Sequence, residues 1–447
     1  MIPTSARRRV RGFRSALVLL GALLVIAVPG LADEPEGLEA GAFRIHPSLR
    51  LLQGFDSNIY YEDVSETPTS GLKLEVNPAL RLVTPNPRST DVNLTLDATW
   101  EQYFNESTND VADQSGLEFN GELGVRLNAN GLVSVRPANH LRRTNDSAFD
   151  EQGDAFRALY NQASVEVGVH PGGAIRTSRL GFSGFARLIH RIWRYDNRAA
   201  MDKSAIGGEL EVKWNFLPKT ALFVNASYQS IRWANDRVTA LGQVPDTEIE
   251  TQLSLPNVDS RPWRVTGGLS GLITRRLSIL ARVGYARGNY RPGSDFSAND
   301  GAQETPRQLI GEGRLQVHVN PTTTWRIGYL RDFADSSFSN FLRYHRFYTG
   351  MTASASRLTL DVEGYLQLND YSRVDFDLFD EPNRDDTVVG SSVGLDFAIT
   401  PWWDVGARYR LEYRSSQFSP ISIFDRDDQA STSYVKHTAL LALTFHY

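Results

Sequence analysis

Apolar and polar residues alternate along almost the whole chain from Phe43 to Tyr447. Val92, Leu94, Leu96, Ala98 and Trp100 are interleaved with Asn93, Thr95, Asp97 and Thr99, and Leu210, Val212, Trp214 and Phe216 with Glu209, Glu211, Lys213 and Asn215. A period of two sends successive side chains to opposite faces of a strand, whereas an amphipathic helix needs a period near 3.6. No long window has the helical period. The chain reads as all-β, with strands near 43–56, 71–84, 91–104, 115–128, 131–143, 156–170, 178–195, 203–217, 220–233, 262–273, 277–290, 307–319, 323–331, 342–355, 357–369, 387–399, 403–414 and 433–447.

The connections between these segments come in two kinds. Short ones such as Pro85-Asn86-Pro87, Pro218-Lys219, Asn320-Pro321 and Thr400-Pro401-Trp402 alternate with long polar ones such as 57–70, 144–155, 234–261, 291–306, 370–386 and 415–432. Sorting by parity in this way is the pattern of an antiparallel transmembrane β-barrel, with short periplasmic turns, long extracellular loops and an even number of strands, here about 18. A soluble β-sandwich also has period-two strands, but its strands average about five or six residues and its connections do not sort by parity. Beyond the first thirty residues no run of about 18 apolar residues occurs, and mean hydropathy is −0.33, so a helical span is excluded. In hydrocarbon every backbone amide needs a partner within the protein, which leaves the closed barrel.

Tryptophan placement points the same way. Trp100, Trp193, Trp233 and Trp263 fall near the long-loop ends of strands, and Trp214, Trp325, Trp402 and Trp403 near the short-turn ends. Indole rings have an apolar body and a polar handle and prefer the two water–lipid boundaries, so these eight together with Tyr447 are expected to form two membrane-interface girdles.

The N-terminus carries Arg7, Arg8, Arg9, Arg11 and Arg14, then an apolar stretch Ala16–Val28, then Gly30-Leu31-Ala32 ahead of Asp33. This three-part order reads as a secretory signal peptide over 1–32, followed by a short periplasmic segment 33–42 and the barrel over 43–447. The chain has no cysteine, which excludes disulfides, thiol nucleophiles and thiolate metal sites. Its net charge of −5 leaves no basic footprint for nucleic acid.

The faces opposite the apolar stripes are expected to line the lumen. The candidates are Glu122, Arg126, Arg187, Arg191, Glu209, Glu211, Lys213, Arg282, Arg314, Arg326, Glu363, Arg408 and Arg410. Acids and bases balance there, which argues against the strong ion selectivity of single-sign rings. Such a wall suits water and neutral polyhydroxylated solutes; equally, the charges can pair across neighbouring strands and stiffen the barrel. A barrel of 16–18 strands leaves an aqueous channel unless something fills it, and the internal candidate is the loop 234–261, whose Val238, Leu241, Val244, Leu253 and Leu255 suit folding inward as a constriction and equally standing outward as a cap. The acidic loop residues Asp375, Asp377, Asp380, Glu381, Asp385 and Asp386, and then Asp425, Asp427 and Asp428, read as solvated surface charge, with divalent cations that bridge surface lipid as the alternative. The eight histidines are scattered, without metal-ligand spacing or a nucleophile motif beside them, so neither catalysis, a metal nor a cofactor is expected.

Two resemblances add to this reading. Ala439, Leu441, Leu443, Phe445 and Tyr447 alternate up to an aromatic last residue; that ending resembles the terminal strand of bacterial outer-membrane barrels and implies contact with the barrel-assembly machinery. Gly54-Phe55-Asp56-Ser57-Asn58-Ile59-Tyr60 looks like the Asp-x-Asn element of the outer-membrane β-barrel porin family of Gram-negative bacteria, whose architecture the whole mature chain resembles. The resemblance implies an outer-membrane location among lipid and lipopolysaccharide, no catalytic residues, and a loop-ordering role for Asp56 and Asn58. Some members are associated with exopolysaccharide export, so a passive channel is expected, with export of a surface polysaccharide and a periplasmic export partner favoured. A general solute-uptake porin and an occluded structural or adhesive barrel are the alternatives.

Overall fold

The computed structural model of the chain describes residues 37–447 except 64–66, 86, 88, 106–110, 112–114, 145–156, 172–180, 197–201, 235–236, 244–249, 256–258, 291–305, 337–340, 373–383 and 417–432, and gives the backbone alone for 237–243 and 250–255. The signal peptide expected over 1–32 lies outside the described residues.

The strands are β1 (Leu38–Ala40), β2 (Phe43–Asp56), β3 (Gly71–Val83), β4 (Thr90–Phe104), β5 (Gly116–Leu127), β6 (Val133–Thr144), β7 (Ala158–Val169), β8 (Gly181–Tyr195), β9 (Lys203–Leu217) and β10 (Thr220–Trp233). The chain continues with β11 (Arg237–Gln243), β12 (Glu250–Leu255), β13 (Trp263–Leu272), β14 (Leu277–Arg287), β15 (Arg307–Asn320), β16 (Thr323–Asp335) and β17 (Phe341–Ala355). It ends with β18 (Leu358–Tyr371), β19 (Asp385–Thr400), β20 (Trp403–Ser416) and β21 (Tyr434–His446). Nineteen strands pair in one sheet, and β11 and β12 form a separate hairpin. Apart from the short β1, the eighteen strands of that sheet pair antiparallel with their neighbours, β10 reaching β13 across the hairpin. The first closes onto the last, from Ser48 opposite His446 to Asp56 opposite Thr438. The result is a closed antiparallel barrel with no free edge, the arrangement that satisfies every ladder amide without water.

β1 was not anticipated in the segment 33–42. It pairs Leu38, Glu39 and Ala40 with Ile45, Arg44 and Phe43, along the stretch of β2 that lies below its pairing with β21. Three residues with no apolar alternation leave no periodic signal to read.

The two faces of the wall have opposite character, and the apolar one is outside. Leu210, Val212 and Trp214 of β9 are 60%, 56% and 44% exposed, while Glu209, Glu211 and Lys213 between them are half-buried. Leu309, Val283, Val265 and Val224 on the neighbouring strands continue the exposed apolar face. Buried apolar clusters are small by comparison: Ile59, Tyr103 and Val111 in one place, Ala286, Ile310 and Phe333 in another. A water-soluble fold cannot leave so much contiguous apolar area exposed. In a bilayer the same area is removed from water at about 25 cal/mol per Å².

Several strands run further than alternation alone indicates. β16 continues to Asp335 and β18 to Tyr371, while β19 begins at Asp385 and β20 ends at Ser416. Beyond the apolar band the backbone ladder goes on, supported there by ion pairs and hydrogen bonds. Asp386 is the clearest instance and corrects the expectation of solvated loop charge: it is fully buried, paired with Arg384 at 3.1 Å and with Arg414. Asp375, Asp377, Asp380, Glu381, Asp425, Asp427 and Asp428 lie outside the described residues, as do the side chains of Val238, Leu241, Val244, Leu253 and Leu255 in the loop 234–261, the candidate constriction or outward cap.

Candidate functional site in the barrel lumen

Rows of directly opposed residues run from strand to strand around the inner face, and charges of opposite sign meet along them. In one row Glu166, Arg187 and Glu209 are successive partners on β7, β8 and β9. Arg187 bonds Glu166 and holds Glu209 at 3.1 Å, and Arg126 reaches Glu166 at 3.8 Å. Arg282 of β14 faces Glu312 of β15 at 2.8 Å. Arg326 spans Gly350 to reach Glu363 at 3.0 Å, because Gly350 is the direct partner of both and offers no side chain between them. Arg408 stands 3.9 Å from Asp396, and Glu122 lies 3.8 Å from His140. Arg191 donates to Gln162 at 2.7 Å. Glu211, Lys213, Arg314 and Arg410 share the same inward parity and make no ion pair among the described residues. Hydrated pairs of this kind stabilise by less than about 1 kcal/mol each; their larger effect is on the field, which cancels over a distance near the Debye length of about 8 Å.

Aromatic rings share this face, and here the structure corrects two girdle expectations. Trp193 has the parity of Arg187 and Arg191 and lines a cavity of about 530 Å³ together with Tyr160, Arg191, Lys203 and Tyr344. Trp233 has the parity of Asn225 and Gln229. The Lys203 ammonium lies over both indoles, at 5.3 Å from the Trp193 ring and 4.5 Å from that of Trp233. Both tryptophans sit at strand ends, but their parity turns them inward, and parity was the signal that would have placed them. The other members stand on the apolar outer face or at its rim. Trp100 is 45% exposed, and Trp263 packs against Tyr285 at 5.7 Å. Trp214 stacks on Phe182 at 5.9 Å, Trp403 on Phe445 at 6.1 Å, and Trp402 meets Tyr447 at 5.2 Å. The Trp325 indole donates to Thr349 at 2.9 Å.

Two inward tyrosines lie flat on the wall. Tyr348 is directly opposite Gly328, and Tyr365 directly opposite Gly390. A Cβ at either glycine would come within 2.3 Å of the Tyr348 ring or 2.2 Å of the Tyr365 ring. Glycine is needed at both places because the ring occupies the space above it. The sequence reading missed these rings, although Tyr348 shares the parity of Arg346 and Tyr365 that of Glu363.

The Asp-x-Asn element is built at the closure seam. The Asp56 carboxylate accepts from the Asn58 amide at 3.0 Å, and the Asn58 side chain donates to the Glu62 carbonyl at 2.8 Å and to the Val435 carbonyl at 3.3 Å. Lys436 of the last strand pairs with Asp56 at 3.0 Å and sits 3.9 Å from the centre of the Tyr61 ring. The element thus ties the loop after β2 to β21. At the opposite, short-turn end, His170 is buried just beyond β7 with Nε2 at 3.3 Å from the Ser134 hydroxyl. Burial, helped by Arg126 and opposed by Glu166, holds its imidazole below the ordinary value of 6.5.

Among the described residues no group of three or more His, Cys, Asp or Glu is placed to hold a metal ion. The sequence profile of the family described as "Putative beta-barrel porin 2" matches residues 32–429. The chain belongs to that family. This porin accordingly forms a channel-type barrel of the outer membrane. No curated relative matches its sequence. Among solved structures it is similar to Acinetobacter baumannii OccAB3, with 10% identity, a TM-score of 0.46, and 91% of this chain and 100% of that chain covered. It is similar also to a BenF-like porin from Pseudomonas fluorescens Pf-5, with 7% identity, a TM-score of 0.47, and 91% and 99% covered. The outer membrane protein opdK from Pseudomonas aeruginosa follows with 8% identity, a TM-score of 0.45, and 90% and 99% covered.

Proposed function

We propose that this porin passes hydroxyl-rich solutes passively, and that its specialised cargo is a surface polysaccharide leaving the cell. The observation that carries the reading is the chemistry of the inner face, where acids and bases are mixed and many of them pair across strands, with tyrosine rings lying flat between them. A neutralised wall neither attracts nor rejects ions strongly. Carboxylates, amides and hydroxyls on that wall offer sugar hydroxyls donors and acceptors to exchange with water. The flat face of an aromatic ring gives a sugar's apolar C–H face a partner.

Sugar passage is tested by single-channel recording of the refolded protein with neutral gluco-oligosaccharides added to one side. The reading expects brief interruptions of the current whose frequency rises with oligosaccharide concentration. A conducting channel whose current no oligosaccharide disturbs would contradict it. Export is tested in cells lacking the porin: retention of polymer in the periplasm is the expected outcome, and unchanged surface polysaccharide with slower sugar uptake would favour the uptake alternative.

A further inference from the structure

One small cavity on the inner wall has a charge arrangement that the rung-by-rung pairing does not neutralise. It has a volume of about 190 Å³ and is bordered by Arg346 of β17, Glu363 and Tyr365 of β18, Gly390 and Ser392 of β19, and Arg410 and Glu412 of β20. The two carboxylates are already engaged, Glu363 with its charge neutralised and Glu412 with its charge kept, so the two arginines face one uncompensated negative charge. Glu363 holds Arg326 at 3.0 Å, and Glu412 accepts the Tyr434 hydroxyl. The two guanidinium groups are not. Arg346 lies over the Tyr365 ring at 4.1 Å and has no carboxylate within ion-pairing distance among the described residues. Arg410 is exposed on the inner face and makes neither a hydrogen bond nor an ion pair among them.

Each arginine therefore keeps unused donors directed by a fixed scaffold. The Tyr365 ring rests on Gly390, its direct partner, and supports the Arg346 guanidinium by cation–π contact, which leaves the planar fork free at its edge. Arg410 is the direct partner of Ser392, and Glu412 that of Gly390, so a hydroxyl, two carboxylates and two guanidinium groups surround one space. The cavity corresponds to about six water volumes, enough for a single sugar ring. Guanidinium groups bind carboxylates with strong, bidentate, charge-assisted hydrogen bonds, while the Glu363 and Glu412 oxygens and the Ser392 hydroxyl match ring hydroxyls.

We propose that this cavity is a subsite for an acidic sugar, whose carboxylate is held between Arg346 and Arg410 and whose hydroxyls meet Ser392, Glu363 and Glu412. The inference rests on the reading of the barrel as a sugar-passing channel and names the class of sugar it prefers.

The test is single-channel recording with three probes added at equal concentration: an oligomer of galacturonic acid, a neutral gluco-oligosaccharide of the same length, and acetate. In the unmodified porin the uronate oligomer should interrupt the current at about tenfold lower concentration than the neutral one, and acetate should not interrupt it. R346Q combined with R410Q should abolish the uronate preference, whereas R136Q, which removes an inward arginine of β6 directly opposite Glu166 and away from this cavity, should retain it; heat-modifiable mobility on gels checks that each variant has folded. Equal interruption by uronate and neutral oligomers in the unmodified porin, or a uronate preference that survives R346Q/R410Q, overturns the subsite and leaves sugar passage standing. Loss of the preference in R136Q as well also overturns it, since the wall as a whole would then be responsible. Interruption by acetate alone overturns the sugar part of the proposal, and a current undisturbed by either oligomer overturns both the subsite and the reading beneath it.

Discussion

Placing an arginine at Leu210 tests which face of the wall meets lipid. Leu210 is the middle residue of β9, which runs from Lys203 to Leu217, and it is 60% exposed on the outer face. Full burial of a leucine side chain is worth about 1.5–3 kcal/mol, so at this exposure Leu210→Ala should cost about 1–2 kcal/mol of lipid contact. An arginine at the bilayer midplane of a barrel adds about 2–4 kcal/mol. Leu210→Arg is therefore expected to cost about 3–6 kcal/mol, a factor on the order of 10² to 10⁴ in the folding equilibrium. The adjacent Glu209→Gln removes one of the two carboxylates around Arg187, which keeps Glu166, and should cost less than about 1 kcal/mol. Urea titration of refolded protein in fluid phosphatidylcholine vesicles, followed by tryptophan emission, measures both. The reasoning fails if Leu210→Arg proves as mild as Glu209→Gln, or if the order is reversed.

Four further outcomes follow from the same geometry. Gly390→Ala places a Cβ where the Tyr365 ring lies, so the ring must swing off the wall; smaller single-channel conductance with unchanged fold is expected, and unchanged conductance would contradict the flat-ring geometry. Glu363→Gln leaves Arg326 without its partner and should move the zero-current potential in a KCl gradient toward anion preference. Asp56→Ala frees Lys436 and the Asn58 turn, so the seam should open at lower temperature, read as an earlier shift in gel mobility. His170 has its proton affinity lowered in the folded state, so the unfolded chain binds more protons below about pH 6.5. Its contribution to stability is present above that pH and is lost as pH falls. His170→Phe should flatten this part of the pH–stability profile measured in vesicles.

Strand number, order and most boundaries were legible because the bilayer imposes one rule on every segment. β9 and β10 coincide with the alternating runs to the residue, since turn residues Pro218-Lys219 interrupt the pattern between them. The ends of β16, β18, β19 and β20 were not legible, because beyond the apolar band the ladder is held by Asp332, Asp370, Asp386 and Arg414, which carry no alternation. The same limit explains Trp193 and Trp233: position along a strand suggested a girdle, while parity, equally present in the sequence, turned them inward. The cross-strand partnerships Arg326–Glu363 and Tyr365–Gly390 depend on register between strands. Register is set by turns and closure and leaves no mark on either segment alone. The inner parity of Arg346 was readable; its position over Tyr365 was not.

The measurement that bears most directly on a closed barrel with lipid outside and water inside is conductance across a planar bilayer containing the purified, refolded porin. A steady, ohmic current with weak ion selectivity is predicted, from a wall that pairs its charges across strands. Membranes that hold folded protein and stay silent would contradict the open lumen, and with it the channel.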